Sequence, residues 1–314
     1  KGRGLSFINT LLYTFEISQY VPNINLYSPR TSIIGINEYE CFMQRNGLYE
    51  KVFAETDYTK IKKLFLKSEL SDQLKARLER LLQIYYRPLA IRSSGLLEDS
   101  LMQPFAGIFE TYLVPNNNPD PKVRLKQAMD AIKLVYASVF SDTARNYIKA
   151  VNFKIEDEKM AVIIQEVVGN KFGSYYYPHI SGVAQSFNYY PFGHIKHEDG
   201  FATVALGLGK YVVEGEKAFR FCPKYPTLMN YTPVDLVKNS QTEFFAIDLN
   251  KKDLDLLTDG DEAGLRRLEL YEAEEHGTLK HSASVYNPEN HTLTPGLSQK
   301  GSRVLNFSNI LKYN

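Results

Sequence analysis

The residues with the clearest chemical content are Arg92, Ser93, Ser94 and Gly95, which follow the apolar run Leu89, Ala90, Ile91. That run reads as a buried strand, and the strand ends in a guanidinium and two hydroxyls. Arginine offers a planar fork of N–H donors that matches phosphate oxygens, and hydroxyls with backbone N–H groups complete such a cradle. A strand delivering these residues to a loop is a candidate polyphosphate site. A buried arginine paired with Glu98 or Asp99 explains the same pattern structurally. A second basic group, Lys1-Gly2-Arg3-Gly4, opens the chain ahead of Leu5, Ile8, Leu11, Leu12 and Phe15 at helical spacing. Backbone N–H groups at a helix N-terminus hold anions. A frayed basic end is the plainer account.

Other groups carry less. His194 and His197 form an H-x-x-H pair in a loop setting without acidic partners, which favours a solvated loop over a metal site. Gly207-Leu208-Gly209-Lys210 is followed by Tyr211 and lacks the four-residue spacer of a P-loop, and no G-x-G-x-x-G follows a first strand. The two cysteines, Cys41 and Cys222, form no CxxC pair, so neither a disulfide framework nor a zinc cluster is expected and a reducing cytoplasm is the default. A formal net charge of +1 argues against a dedicated nucleic-acid binder. No apolar run approaches membrane-span length, and no signal peptide precedes the first residue. Beginning at Lys1 without methionine, the chain reads as part of something longer. With 314 residues, 44% hydrophobic and 23% charged, it can bury a sizeable core in two or more subdomains.

Several elements must position these groups. A short strand around Ile33 and Ile34 precedes a helix over residues 37–46, with Asn37 as its N-cap and Asn46-Gly47 as its stop. Residues 58–86 carry an amphipathic pair of helices, the second capped by Ser71, which feeds into the strand at Leu89. A further strand runs from Thr111 to Val114, and the strongest helical pattern covers residues 123–146. Residues 160–168 form a nearly continuous β-branched run interrupted by Gln165 and Glu166, as expected of a buried strand. More strands are expected over residues 181–187, 201–206, 211–215, 244–249 and 302–307, with an acidic-basic helix over residues 261–275.

Taken in order, these pieces resemble the N-terminal nucleotide-binding domain of phosphoenolpyruvate synthase and pyruvate phosphate dikinase. The resemblance rests on Lys1-Gly2-Arg3-Gly4-Leu5, on Ala90-Ile91-Arg92-Ser93-Ser94 with Glu98-Asp99, and on Phe105-Ala106-Gly107 with Glu110-Thr111. Ile164-Gln165-Glu166-Val167-Val168, Ser181-Gly182-Val183 and Gly207-Leu208-Gly209 with Val212-Val213-Glu214-Gly215 follow. Each motif is weak; the ordered set, over roughly the first 225 residues, is specific. It implies an α+β, ATP-grasp-like fold: two or more subdomains with mostly antiparallel sheets flanked by helices, and an ATP cleft between them. The expected divisions are an N-terminal subdomain over residues 1–114, an ATP-grasp-like subdomain over 115–233, and an extension over 234–314 that completes the fold.

The resemblance also implies roles. Lys1 is similar to the family's phosphate-contacting lysine, and Arg92 to the arginine that clamps the phosphoryl group as charge develops on it. Ser93 and Ser94 would line that loop, and Thr111 would lie near the phosphates. Gln165, Glu166, Val167 and Val168 resemble the strand whose edge meets the adenine. ATP and Mg2+ are the implied cofactors. The implied partners are a phosphohistidine domain and a phosphoenolpyruvate/pyruvate domain of the full-length protein, and a homodimer is left open. Nothing here resembles the histidine-domain motif, so the chain would bind ATP and begin transfer without completing turnover alone.

The departures matter as much. The family's Gly-Leu-Gly-Glu reads Gly207-Leu208-Gly209-Lys210, and a lysine cannot ligate magnesium. Glu214 or Glu216 could substitute, the ammonium could replace part of the metal's charge, the site could be impaired, or the lysine could be surface drift. The family's Gly-Val-Phe-Thr reads Gly182-Val183-Ala184-Gln185. The competing reading is therefore a catalytically degenerate regulatory or ligand-binding module on the same fold.

Overall fold

The computed structural model describes residues 1–15, 19–20, 22–95, 98, 107–228 and 231–311. Asp99, Phe105 and Ala106 lie outside these residues. The chain forms two compact units, Lys1–Val167 with Lys251–Gly264, and Val168–Asn250 with Leu265–Asn314. Among the described residues no helix is long and apolar enough to cross a membrane.

The first unit contains α1 (Gly2–Thr14), β1 (Thr31–Ile34), α2 (Ile36–Arg45), α3 (Leu48–Ala54), α4 (Tyr58–Lys67), α5 (Asp72–Ile84), β2 (Leu89–Gly95), β3 (Thr111–Val114), α6 (Pro121–Ala137), α7 (Asp142–Ala150) and β4 (Met160–Glu166). The strands form one antiparallel sheet in the order β1-β4-β2-β3. This unit runs on past residue 114 because β4 pairs with β2 along the whole of its length, from Leu89↔Glu166 to Gly95↔Met160. Successive side chains of a strand alternate between faces. Leu89, Ile91, Tyr112, Val162 and Ile164 therefore turn together into a core shared with Tyr39, Phe42, Phe65, Leu78 and Ile132 of the helices.

Capping explains where the helices begin. Ser71 Oγ accepts from the Leu74 N–H at 3.1 Å, as its position before α5 predicts. Residues 123–146 do not form the single helix their pattern suggests. The Ser138 hydroxyl donates to the Val135 carbonyl at 2.7 Å, a 3-10 turn follows, and Ser141 Oγ caps α7 by accepting from Ala144 N–H at 3.1 Å. Asn37 is not a cap either: α2 starts one residue earlier, after Gly35, with no side-chain cap.

The second unit contains β5 (Asn170–Phe172), β6 (Tyr175–Tyr177), β7 (Ser181–Gln185), β8 (Phe201–Ala205), α8 (Lys210–Val213), β9 (Phe219–Phe221), α9 (Pro233–Asn239), β10 (Glu243–Asp248), β11 (Leu265–Glu269), α10 (Leu270–Glu275), β12 (Ala283–Asn287), β13 (Thr292–Pro295), β14 (Ser302–Leu305) and α11 (Ser308–Leu311). Its antiparallel sheets have the orders β11-β10-β6-β5, β7-β8-β9 and β13-β12-β14. Two further expectations fail. Residues 211–215 are not a strand: α8 takes their place, its Val212 and Val213 N–H groups both bonding Gly209 O at 3.1 Å. Residues 261–275 are not one helix: Leu265 and Leu268 are buried on β11, which pairs with β10 from Glu243↔Glu269 to Ile247↔Leu265. Cross-strand pairing overrides a helical charge pattern, because propensity is the weaker force.

Candidate functional site

The strand that carries Arg92 does not stop at Ile91. It continues to Gly95, so Arg92, Ser93 and Ser94 are strand residues and not a loop. The apolar run signals only the stretch buried on both faces. Beyond it the strand continues with one polar side, held by Arg92↔Ile163, Ser93↔Val162 and Ser94↔Ala161 pairing.

Alternation then separates neighbours in the sequence. Arg92 and Ser94 turn outward, half-buried, on the face that also holds Thr111, Gln165 and Thr31. Ser93 turns to the core face and is 0% exposed. Its hydroxyl donates to Glu98 Oε1 at 2.8 Å, and the Gly95 N–H donates to Glu98 Oε2 at 3.1 Å. The Lys1 ammonium completes the arrangement by pairing with Glu98 Oε1 and approaching the Ser93 carbonyl oxygen at 3.4 Å. Glu98 is only 6% exposed, and a buried carboxylate needs such donors. Thus Glu98 serves Lys1, Ser93 and Gly95, and not Arg92 as the structural alternative supposed.

Arg92 has a neutral partner. Its Nη1 donates to Gln165 Oε1 at 3.4 Å, Gln165 Nε2 donates to Thr31 Oγ1 at 3.0 Å, and Thr31 Oγ1 donates to Pro29 O at 2.9 Å. A guanidinium can only donate, so this chain orients the Gln165 amide with its oxygen toward Arg92. Among the described residues no carboxylate lies in ion-pair range of Arg92. An amide partner orients a guanidinium without forming an ion pair with it. Thr111 is its register partner on β3. Thr31 and Ile33 also border a groove of about 440 Å3 along α1, which Ser6, Asn9 and Thr10 line with polar atoms. Nothing local in the sequence marks Thr31, a strand threonine, as the support of a distant glutamine.

Glu110 belongs to the structure of this unit. Tyr58 Oη donates to it at 2.8 Å, Tyr112 Oη donates to its other oxygen, and Lys62 Nζ lies 3.1 Å away. Burial first, and then the Glu110 charge, push both tyrosines far above the ordinary phenol range. At the end of β4, the Glu166 N–H donates to Arg30 O at 2.9 Å and the Val167 N–H to Pro88 O at 2.8 Å. Glu166 is buried and borders a pocket of about 390 Å3 with Tyr27, Arg30, Tyr86 and Arg87. Val168, 41% exposed, is the first residue of the second unit.

In the second unit the Gly207-Leu208-Gly209 turn is pinned to β10. The Leu208 N–H donates to Phe245 O at 2.9 Å, and Gly207 has φ +82. A Cβ there would meet Phe244 Cδ2 and Phe245 O at 2.7 Å, so only glycine fits. Lys210 pairs with Glu214 at 3.0 Å. Arg267 pairs with Glu216 at 2.8 Å and with Glu243 at 3.2 Å. Partial burial pulls the Arg267 guanidinium down, yet its bonds to Glu243 and Glu216 hold it above its ordinary value. Burial, with Glu216 nearby, pushes the Tyr211 phenol up to about 12. The two acids named as metal ligands are both engaged with cationic side chains.

One family model, described as pyruvate phosphate dikinase, AMP/ATP-binding domain, matches residues 9–279. The chain belongs to that family. The match takes in Arg92, Thr111, Gln165 and the Gly207 turn and leaves Lys1 outside. It also extends past residue 225, where the motif resemblance ends, so β10, β11 and α10 belong to the family domain. Relatives include an uncharacterized phosphotransferase, YvkC, of Bacillus subtilis, 29% identical over 189 residues covering 60% of this chain. Phosphoenolpyruvate synthases of Deinococcus radiodurans, 31% identical over 133 residues, and Aeropyrum pernix, 27% over 175 residues, cover 40% and 55% of it. The matched parts make up 20%, 14% and 17% of these three proteins, so the chain corresponds to a small part of each.

Proposed function

We propose that this chain is the ATP-binding domain of a phosphotransferase of the phosphoenolpyruvate synthase and pyruvate phosphate dikinase type, with an ATP-grasp-like fold. The observation that carries the reading is Arg92. It is a half-buried guanidinium held by the Gln165 amide, on a sheet face shared with Thr111, inside the span matched by an AMP/ATP-binding family. Arg92 contacts the nucleotide phosphates and stabilises the charge that develops as a phosphoryl group leaves. Gln165 and Thr31 fix its direction, and Ser94 and Thr111 complete the polar surface. Lys1 and Glu98 brace the end of β2, with Ser93 as part of that brace. The backbone of residues 165–168 is the segment that meets the adenine. The phosphoryl group passes to a histidine on a domain outside this chain and finally to pyruvate, in the cytoplasm.

Mg2+ comes with the resemblance, and the donor set does not fit it. Magnesium takes hard oxygen ligands, whereas Glu214 and Glu216 each hold a cationic nitrogen. Among the described residues no three His, Cys, Asp or Glu side chains are grouped to hold a metal. The Lys210–Glu214 pair favours a second reading, a module that binds ATP without transferring phosphate.

Incubating the full-length protein with labelled ATP tests the reading. The expected product is an acid-labile, base-stable phosphoprotein that Arg92→Ala abolishes. ATP binding without a phosphoprotein selects the second reading. Neither binding nor labelling overturns both.

A further inference from the structure

A pocket forms inside the first unit where α7 ends. The chain reverses at Asn152, whose φ of 55° is one that asparagine tolerates better than most residues. The Asn152 N–H donates to Lys149 O at 3.2 Å and the Phe153 N–H to Ile148 O at 3.0 Å, so the chain folds back after the helix. Residues on both sides of this reversal, with Phe53 of α3, line a pocket of about 370 Å3. Ile148, Phe153 and Ile155 give it apolar surface, and Phe53, 40% exposed, adds an aromatic side chain.

Charge is unevenly distributed around this pocket. Arg145, Lys149 and Lys154 line it against one acid, Glu156. Among the described residues none of these three cations makes an ion pair. Arg145 is half-buried and held by main-chain carbonyls. Its Nε donates to Phe140 O at 3.0 Å, and its Nη2 donates to Val52 O at 2.8 Å and to Glu55 O at 3.0 Å. Those bonds tie α7 to the end of α3 and account for two of the three guanidinium nitrogens. The third, Nη1, is reached by solvent and bonds nothing among the described residues. Lys149 also offsets the dipole at the end of α7, whereas Lys154 lies beyond the helix and has no such role.

A phosphate monoester carries close to two negative charges at neutral pH and presents acceptor oxygens that suit both guanidinium and ammonium groups. Three cations against one acid leave a positive excess of that size. We propose that this pocket binds a small phosphate monoester. Its phosphate meets Arg145 Nη1, Lys149 and Lys154, and its apolar or aromatic body rests against Phe53 and Ile155. The site shares no residue with the Arg92 face and does not depend on the ATP-binding reading.

Calorimetric titration of phenyl phosphate into the whole chain tests the proposal. Inorganic phosphate, which lacks the body, and benzoate, which lacks the phosphate, serve as controls. Saturable binding with a Kd of about 1 mM or tighter is expected for phenyl phosphate, and binding about tenfold weaker or worse for each control. Lys149→Gln combined with Lys154→Gln should weaken phenyl phosphate about tenfold at an unchanged melting temperature, because both lysines are exposed. Arg145 stays intact in that variant, since it also ties α3 to α7. Arg92→Ala should leave the affinity within about twofold. The proposal is overturned if folded wild type shows no binding up to about 20 mM, or if either control binds as tightly as phenyl phosphate. Affinity that the double lysine variant preserves, or that Arg92→Ala removes, overturns it as well.

Discussion

The two regions that carry the candidate chemistry are built on opposite principles. In the first unit, Arg92 projects from a strand inside a four-stranded sheet, and its charge is left without a carboxylate among the described residues. In the second, Lys210 projects from a tight turn and four-residue helix and pairs with Glu214, while Arg267 nearby pairs with Glu216 and Glu243. The strand divides adjacent residues between two faces, so Arg92 faces outward while Ser93 becomes part of the core. The turn instead gathers Lys210, Glu214 and Glu216 on one short stretch, where they pair locally and with Arg267. A motif on a strand must be read every second residue; a motif on a turn must be read with its ion-pair partners.

The largest effects expected are on stability, where each region is most constrained. Glu98→Ala removes the acceptor of Lys1, Ser93 and Gly95 and should cost about 3 kcal/mol in urea unfolding. A loss under half that size would mean the carboxylate is not what braces β2. Gly207→Ala should cost about 2–3 kcal/mol, since φ +82 and the contact with Phe245 O leave no place for a methyl group. Retained stability there would show that the turn is adaptable and blur the contrast between the regions.

A smaller pair of substitutions probes alternation itself. Ser93→Ala should cost about 1–2 kcal/mol, while Ser94→Ala, on the outer face, should stay within about 0.5 kcal/mol. Equal effects would contradict the assignment of the two serines to opposite faces.

The smallest effect is on pH dependence, and it belongs to the second unit, which holds all six histidines. Partial burial, and then the neighbouring His281, lower the His179 pKa below its ordinary value of 6.5. The unfolded chain therefore binds the proton more readily. The contribution is fully present above pH 6.5 and is lost as pH falls through the lowered folded value. Thermal melts of wild type and His179→Gln from pH 7.5 downward should show a shallower acid loss in the variant. Identical slopes would remove His179 from the account.

Much of this was legible in the sequence. Leu89 to Ile91 announced β2, residues 160–168 announced β4, and Ser71 announced α5, because each signal is local. The extension of β2 through Arg92 was not, since its polar half is held by pairing with residues about 70 positions away. The Lys1–Glu98 contact and the Gln165–Thr31 support join residues 97 and 134 positions apart, beyond any local pattern. The departure at Lys210 was visible; its consequence, a cation seated with Arg267 on Phe245, needed the fold.

The most direct test of the account is a calorimetric titration of ATP into wild-type protein and into Arg92→Ala, with thermal melts of both. The account predicts saturable binding by wild type, weakened about tenfold to a hundredfold in the variant at an unchanged melting temperature. Equal affinity in the two proteins would make Arg92 structural and contradict the site assigned to it.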